Sequence, residues 1–174
     1  FFTFPFLCYY QIMKKGFTLV ELLIVVAILG ILAAVGVVSY TGFMGSAKES
    51  AAKAHQKNAS NFIAATVLKC SLGAKSVPLT NTTLNCFYIR RGSIVADSFS
   101  EHFSFRGEDW RNPYYPELSA ISGVSCDDSP DPKAVGGTTI RGTGGLDGTS
   151  GTITICTRWG KGDTDYTKFT IILE

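Results

Sequence analysis

Residues 14–40 read KKGFTLVELLIVVAILGILAAVGVVSY and decide the fold of this chain. From residue 17 to residue 38 the sequence is apolar except for Thr18 and Glu21, and no charged residue occurs at 22–47. A helix over 17–38 is about 33 Å long at about 1.5 Å per residue, which matches the hydrocarbon core of a bilayer. The apolar region of a secretory signal peptide is shorter, typically about 7–15 residues. We therefore predict a transmembrane helix.

Two lysines and a glycine precede the apolar run. Lys14 and Lys15 predict that this end stays in the cytoplasm, because positive charges beside a span are retained there. The residues after Tyr40 are then exported. Gly16 has no side chain and offers a flexible scissile position at the cytoplasmic face of the membrane.

Glu21 is the only acid in the apolar run. A carboxylate toward the membrane interior costs on the order of 2.5–3.5 kcal/mol on insertion scales unless it is neutralised. Cleavage after Gly16 would create a cationic α-amine on Phe17, one helical turn from Glu21. This amine could pair with Glu21 of its own chain or of a neighbouring copy, and the second pairing would fix the register of an assembly. The alternative is that Glu21 snorkels to the membrane interface.

The segment 14–40 resembles the processing site and first helix of type IV pilins and related pseudopilins. The resemblance implies that a prepilin peptidase cuts between Gly16 and Phe17 and N-methylates Phe17, which keeps the amine positive. It also implies that Glu21 guides each subunit into a growing filament and that Thr18 belongs to the same motif.

The same resemblance implies a pilin fold of the α+β class, with a long amino-terminal helix packed on an antiparallel β-sheet head. The implied partners are identical and related pilin subunits in a helical homopolymer, the prepilin peptidase and an inner-membrane assembly platform. The implied location is the bacterial inner membrane before assembly and an extracellular pilus afterwards. Adhesion, motility and DNA uptake all remain open as roles.

The expected organisation is one head on one helix. Met13 is the expected true start, which would leave residues 1–12 untranslated and limit the leader to 13–16; a longer natural leader stays open. The expected segments are a leader at 1–16, a hydrophobic transmembrane and assembly helix at 17–40, an amphipathic continuation of the helix at 41–70 and a globular head at 71–174.

Pilins of this family often carry a proline where this chain has Val38. In this chain Gly30 and Gly36 are expected to weaken the helix instead of a proline, because each lowers helix propensity by up to about 1 kcal/mol relative to alanine. We expect local unwinding within 30–38 in the assembled filament.

Small and apolar residues recur at steps of three and four after the apolar run, which predicts that the helix continues out of the membrane with one face on the head. The residues of this stripe are Met44, Ala47, Ala51, Ala54, Phe62, Ala65 and Leu68. The expected solvated face carries Lys48, Glu49, Lys53, Lys57 and Lys69.

Beyond Cys70 the sequence predicts short strands separated by turns. The candidate strands cover 84–89, 138–141, 152–158 and 166–173. The last two flank a turn, Gly-Lys-Gly-Asp at 160–163, and are expected to form an antiparallel hairpin.

Four cysteines in the exported part, an even number, indicate an oxidising compartment. Four cysteines allow three connectivities. We expect Cys70 to pair with Cys86 and Cys126 with Cys156, because these are nearest in sequence and because the resemblance implies a disulfide-bounded carboxy-terminal loop, here 126–156. A zinc site is disfavoured because no C-x-x-C pair occurs.

Charge and motifs argue against other functions. The chain has 16 Lys and Arg against 14 Asp and Glu, and loss of Lys14 and Lys15 with the leader equalises the two counts. Nucleic-acid binding is possible but not indicated, because it normally requires a basic excess. The candidate local patch consists of Arg90, Arg91, Arg106 and Arg111.

No cofactor or enzymatic activity is expected. The glycine-rich stretch 136–151 lacks the G-K-[ST] of a phosphate-binding loop, and the two histidines, His55 and His102, suggest no catalytic group. Calcium binding would draw on Asp127, Asp128, Asp131 and Asp147, but no D-x-D-x-D-G loop is present.

Two alternatives to a structural pilin remain. The first is a pseudopilin of a type II secretion system, because Trp-Arg-Asn-Pro-Tyr at 110–114 resembles the W-G-x-P-Y segment of major pseudopilins, with Arg111 in place of glycine. The second is a single-pass membrane binding protein, which leaves Gly16, Phe17 and Glu21 unexplained.

Overall fold

The computed structural model of the chain describes residues 16–105, 110–121, 135–145, 149–162 and 164–174. The elements in these ranges follow one another as α1 (Leu19–Ser71), β1 (Ser76–Pro78), β2 (Thr83–Asn85), α2 (Gly92–Ser104), β3 (Thr138–Thr143), β4 (Gly151–Arg158) and β5 (Tyr166–Leu173). A 3₁₀ turn, Cys86–Tyr88, follows β2. The architecture is α+β, as predicted. The chain divides into a unit that ends at Gly42 and a unit that begins at Phe43.

The described part of the first unit consists of the start of α1 and the three residues before it. Leucine and alanine favour this helix, and two hydroxyls bond back to carbonyls of the preceding turn, Ser39 to Val35 at 3.2 Å and Thr41 to Val38 at 2.9 Å. The helix is continuous through Gly30. The unwinding expected within 30–38 concerned the filament, and it stays a prediction.

In the second unit α1 buries a face that the sequence stripe did not predict. The buried residues are Ala52, Gln56, Ala59, Ser60, Ile63, Thr66 and Cys70. Ala54, Ala65 and Leu68 were expected on this face, and they are exposed. The prediction was wrong because the buried face contains Gln56, Ser60 and Thr66, which a search for apolar periodicity passes over.

Strands β3, β4 and β5 form an antiparallel sheet in that order. The predicted hairpin of β4 and β5 is confirmed, and its register pairs Ile153 with Ile171 and Ile155 with Phe169. Ile153 and Ile155 are fully buried and share one hydrophobic core with Ile63 of α1. The inward side of β4 therefore supplies part of the core of the head.

The candidate strand 84–89 is only partly a strand. Residues of β2 pair with β1 in a separate two-stranded sheet, with Val77 opposite Leu84. The chain then turns at once, because the Asn85 side chain accepts a hydrogen bond from Phe87 N at 3.0 Å. This local bond to the backbone begins the 3₁₀ turn and ends β2.

Helix α2 was not predicted. Its buried face includes Val95, Phe99 and Phe103, which recur at steps of four and join the core. The start of α2 lies directly against β3, where a Cβ on Gly92 or Gly142 would overlap the backbone of the other segment. Glycine is required there because only it allows the two backbones to approach this closely.

A polar side chain connects α1 to the sheet. Gln56 is buried, and its Nε2 donates to the backbone oxygens of Ile155 at 3.2 Å and Thr167 at 2.7 Å. These carbonyls belong to neighbouring strands, β4 and β5. One amide group therefore fixes the position of the helix against two strands.

Substitution of Gln56 by methionine keeps the length of the side chain and removes both donors. We expect a loss of about 1–3 kcal/mol in the free energy of unfolding, because the buried carbonyls lose their partner. Urea unfolding of the full chain in detergent, followed by fluorescence of Trp110 and Trp159, measures this loss. Asn61→Met on the exposed face of α1 is the matched control, and an equal effect of the two substitutions would contradict the assignment.

An aromatic contact holds α1 against the segment that contains Trp110. The His55 imidazole stacks on the buried Trp110 ring with 5.1 Å between centroids. Burial lowers the pKa of His55 below its ordinary value, because desolvation disfavours the charged imidazolium. The folded state therefore favours a neutral His55.

This pKa shift predicts an acid-dependent loss of stability. The unfolded chain binds a proton at His55 near pH 6.5, whereas the folded chain binds it only at lower pH. The free energy of unfolding should therefore fall as the pH decreases through about 6.5 and level off below the folded pKa. We expect His55→Phe, which keeps a stacking ring, to lose less melting temperature than the wild type between about pH 7.5 and about pH 5. Equal losses would show that His55 does not contribute, because His102 is common to both proteins.

Candidate functional site

The first turn of α1 is closed by hydrogen bonds between Thr18 and Glu21. The Thr18 backbone N–H donates to Glu21 Oε2 at 3.0 Å, and the Thr18 hydroxyl donates to the same oxygen at 2.8 Å. In return, the Glu21 backbone N–H donates to Thr18 Oγ1 at 3.3 Å. The Leu22 N–H bonds to the Thr18 carbonyl at 3.2 Å. This is a capping box with Thr18 at the N-cap.

The capping box changes the interpretation of Glu21. From sequence alone the Glu21 carboxylate was expected to lack a partner until cleavage supplies an amine, whereas Oε2 already accepts two hydrogen bonds from its own chain. The negative charge is not neutralised, since Glu21 forms no ion pair within the described ranges. The signal was present in the sequence, because Thr-Leu-Val-Glu is the spacing of a capping box.

Gly16, Phe17 and Thr18 lie ahead of the helix, outside regular secondary structure, and all three are exposed. Phe17 is 77% exposed. The peptide bond between Gly16 and Phe17 is thus outside the hydrogen-bonded helix and sterically open, because no side chain of the described residues lies near Gly16. Lys14 and Lys15 lie outside the described residues.

The helix that follows is not covered by any of the described residues. Its apolar window has a mean hydropathy of 3.0 and is 0% buried, and α1 is long and apolar enough to cross a membrane. Open space surrounds Gly30 and Gly36, which lie on this helix. A contiguous apolar surface of this size needs lipid or another apolar surface around it.

A disulfide between Cys70 and Cys86 joins the last turn of α1 to the start of the 3₁₀ turn that follows β2, as expected from the sequence. Its closed loop, with a sequence separation of 16, should contribute about 3 kcal/mol on a chain-entropy model. Cys156 also takes part in a disulfide. Cys126 lies outside the described residues, so its pairing with Cys156 stays a prediction.

The other candidate sites are not assembled by the described residues. The four acids considered for calcium, Asp127, Asp128, Asp131 and Asp147, all lie outside those ranges, as does Arg106 of the basic patch. Within the part that is described, no group of three or more His, Cys, Asp or Glu could hold a metal ion.

The segment 110–114 connects separate parts of the head through hydrogen bonds. Asn112 is buried and donates to the Val135 carbonyl at 2.9 Å, while its Oδ1 accepts from the backbone N–H groups of Tyr114 and Tyr115 at 2.8 and 3.2 Å. The Tyr114 hydroxyl donates to the Trp159 carbonyl at 2.7 Å. The aromatic and amide groups of this segment therefore have structural partners, which a search for functional motifs did not reveal.

Comparison with known proteins agrees with the geometry of the amino-terminal segment. Residues 13–37 match the family model described as the prokaryotic N-terminal methylation motif. The chain is also similar to the type IV major pilin protein PilA of Myxococcus xanthus (strain DK1622), with 51% identity over 44 residues. That alignment covers 25% of this chain and 20% of the relative. No solved structure matches the chain significantly.

The family model defines the class, namely chains that carry an N-terminal methylation motif at the start of an apolar helix. Together with the PilA similarity, this motif shows that the amino-terminal segment of the chain is similar to that of type IV pilins.

Proposed function

We propose that the chain is the structural subunit of an extracellular type IV pilus, cleaved between Gly16 and Phe17, N-methylated at Phe17 and polymerised through α1. One observation carries the proposal. Glu21 has hydrogen bonds but no cation within the described ranges, and it heads a helix whose apolar surface is uncovered. After processing, association of such helices would give Glu21 a cation and would cover the apolar surface.

Cleavage changes the charges at the start of the helix. It removes Lys14 and Lys15, which hold this end in the cytoplasm, and it creates a positive amine on Phe17. The capping box survives because the peptide between Phe17 and Thr18 is intact. The processed helix is therefore easier to remove from the membrane. It also carries a positive amine on Phe17 close to the Glu21 carboxylate.

The geometry of Glu21 leaves room for that cation. Both hydrogen bonds from Thr18 go to Oε2, and Oε1 accepts none from the described residues. A carboxylate has about four acceptor positions. Oε1 can thus receive the Phe17 amine of its own chain or of a neighbouring copy, and the latter contact would set the register between subunits.

The proposed life cycle follows from these features. The precursor resides in the bacterial inner membrane with its head exported, where Cys70 and Cys86 form their disulfide. The prepilin peptidase and the inner-membrane assembly platform are the proposed processing and assembly partners. Helix α1 then provides the apolar core of a filament of identical and related subunits.

A type II secretion pseudopilin is the second candidate. It would use the same processing and the same Glu21 chemistry, and the aromatic-proline-tyrosine segment at 110–114 favours it. The internal hydrogen bonds of Asn112 and Tyr114 give that segment a structural role in the head. The segment is therefore weaker support for a pseudopilin.

Mass spectrometry of material sheared from intact cells tests the proposal. We expect an amino-terminal peptide that begins with N-methyl-Phe17 in an extracellular filament fraction. The processed chain in the cell envelope alone would indicate a pseudopilin or a scarce minor subunit. An uncut Lys14-Lys15-Gly16 would indicate a single-pass membrane protein instead.

Replacement of Glu21 by alanine should separate insertion from assembly. We expect normal or improved insertion, because about 2.5–3.5 kcal/mol of insertion cost disappears, together with loss of sheared filaments. Protease accessibility of the exported head measures insertion. Glu49→Ala is the matched control, since Glu49 is an acid on the same helix that pairs with Lys53. Normal filaments from Glu21→Ala would contradict the registration role.

A further inference from the structure

The side of α1 turned away from the head is a basic surface with small and apolar residues. Its exposed residues, the outer face of α1, are Lys57, Asn61, Ala65, Leu68 and Lys69, together with Leu72, which directly follows the helix. Leu68 and Leu72 are 58% and 79% exposed. The opposite side of the helix carries Ala59 and Ile63, which are fully buried in the core. The outer face is thus an unpartnered apolar and cationic strip.

Helix α2 has an outer face of the opposite charge. Ile94, Asp97, Glu101 and Phe105 are exposed and recur at steps of three and four, so they lie on one side of the helix. Val95, Phe99 and Phe103 occupy the buried side. The outer face of α2 therefore has two carboxylates between two exposed apolar side chains.

The charges of these two faces have no partners in their own chain as far as it is described. The only ion pair there joins Lys53 to Glu49. Lys53 also lies 4.0 Å from the Trp159 ring centroid, and Lys48 lies 5.7 Å from that of Tyr114. Lys48 and Lys53 thus have internal contacts, whereas the ammonium groups of Lys57 and Lys69 have no ion pair or ring contact with the described residues.

The two faces also have similar lengths. Lys57 to Leu68 and Ile94 to Phe105 each span about 16 Å along their helix. The lysines are farther apart than the acids, about 18 Å from Lys57 to Lys69 against about 6 Å from Asp97 to Glu101, so each lysine reaches inward by about one helical turn, as lysine does in i,i+4 pairs. Asn61 and Ala65 lie between the cations of α1 and leave room for a second helix to approach. Leu68 and Leu72 can contact either Ile94 or Phe105, depending on whether the two helices dock parallel or antiparallel.

We propose that the outer face of α1 in one copy docks on the outer face of α2 in the next copy, with Lys57 and Lys69 facing Asp97 and Glu101. The contact cannot form within one chain, because both faces point away from the core that α1 and α2 share. It joins two different surfaces, so it can repeat from copy to copy along an open helical filament. The proposal rests on the assembly proposed above and names one of its contacts.

Charge reversal tests the pairing. The variant with Lys57→Glu and Lys69→Glu should lower the yield of sheared filaments by at least about tenfold, because like charges across an interface cost several kcal/mol. Adding Asp97→Lys and Glu101→Lys should restore the yield. Lys161→Glu, an exposed lysine of the β4–β5 turn, is the control and should assemble normally. Reversal without loss, or loss without restoration, would overturn the docking.

Zero-length cross-linking with a carbodiimide identifies the contact directly. Mixed assembly of light and heavy isotope-labelled copies should yield amide links between peptides of Lys57 or Lys69 and of Asp97 or Glu101, with one peptide from each label. Filaments without these mixed links would overturn the docking and leave the pilus proposal standing. Mixed links in membranes without extracellular filaments would support the docking and overturn the pilus. Absence of both would overturn both.

Discussion

The apolar surface at the start of α1 is left uncovered by the part of the chain that the structure describes, and this constraint governs the rest of the molecule. A helix that exposes leucine, isoleucine and valine on every side is stable only in lipid or among other apolar helices. The one charged group near its start, Glu21, is held at the helix end by Thr18. The Glu21 carboxylate therefore lies close to the place where the amine of a processed chain would lie, so the two charges would interact.

In the second unit the same helix packs against other elements of the head. It buries a face that includes Gln56, Ser60 and Thr66, and Gln56 bonds to two strands at once. His102 performs a similar task in α2, since its Nδ1 accepts the Thr80 backbone N–H at 2.9 Å while its ring stacks on Phe62. Polar side chains thus fix the relative positions of elements that apolar packing alone would leave free to slide.

The sequence predicted the features that depend on strong local patterns. The apolar run gave the long helix, and alternation with a glycine-rich turn gave the β4–β5 hairpin. Helix α2 was missed because it begins at Gly92 without a side-chain cap and contains several serines, all of which weaken a local helix signal. The buried face of α1 was misassigned because Gln56 is buried for a hydrogen bond to distant strands, and such contacts are not visible in local spacing. At the candidate site, the residues around the proposed cleavage position were identifiable from sequence, whereas the capping role of Thr18 was overlooked.

The bridge between Cys70 and Cys86 has a mechanical consequence. When a pulling force acts between the two ends of the chain, the tension crosses this covalent link and bypasses the residues between the two cysteines. An extended chain reaches about 3.3–3.6 Å per residue, so a contour length of roughly 50 Å is withheld from stretching. The β1–β2 hairpin lies inside this shielded segment. The bridge therefore limits how far the head can lengthen under load, whatever happens to the hydrogen bonds of the hairpin.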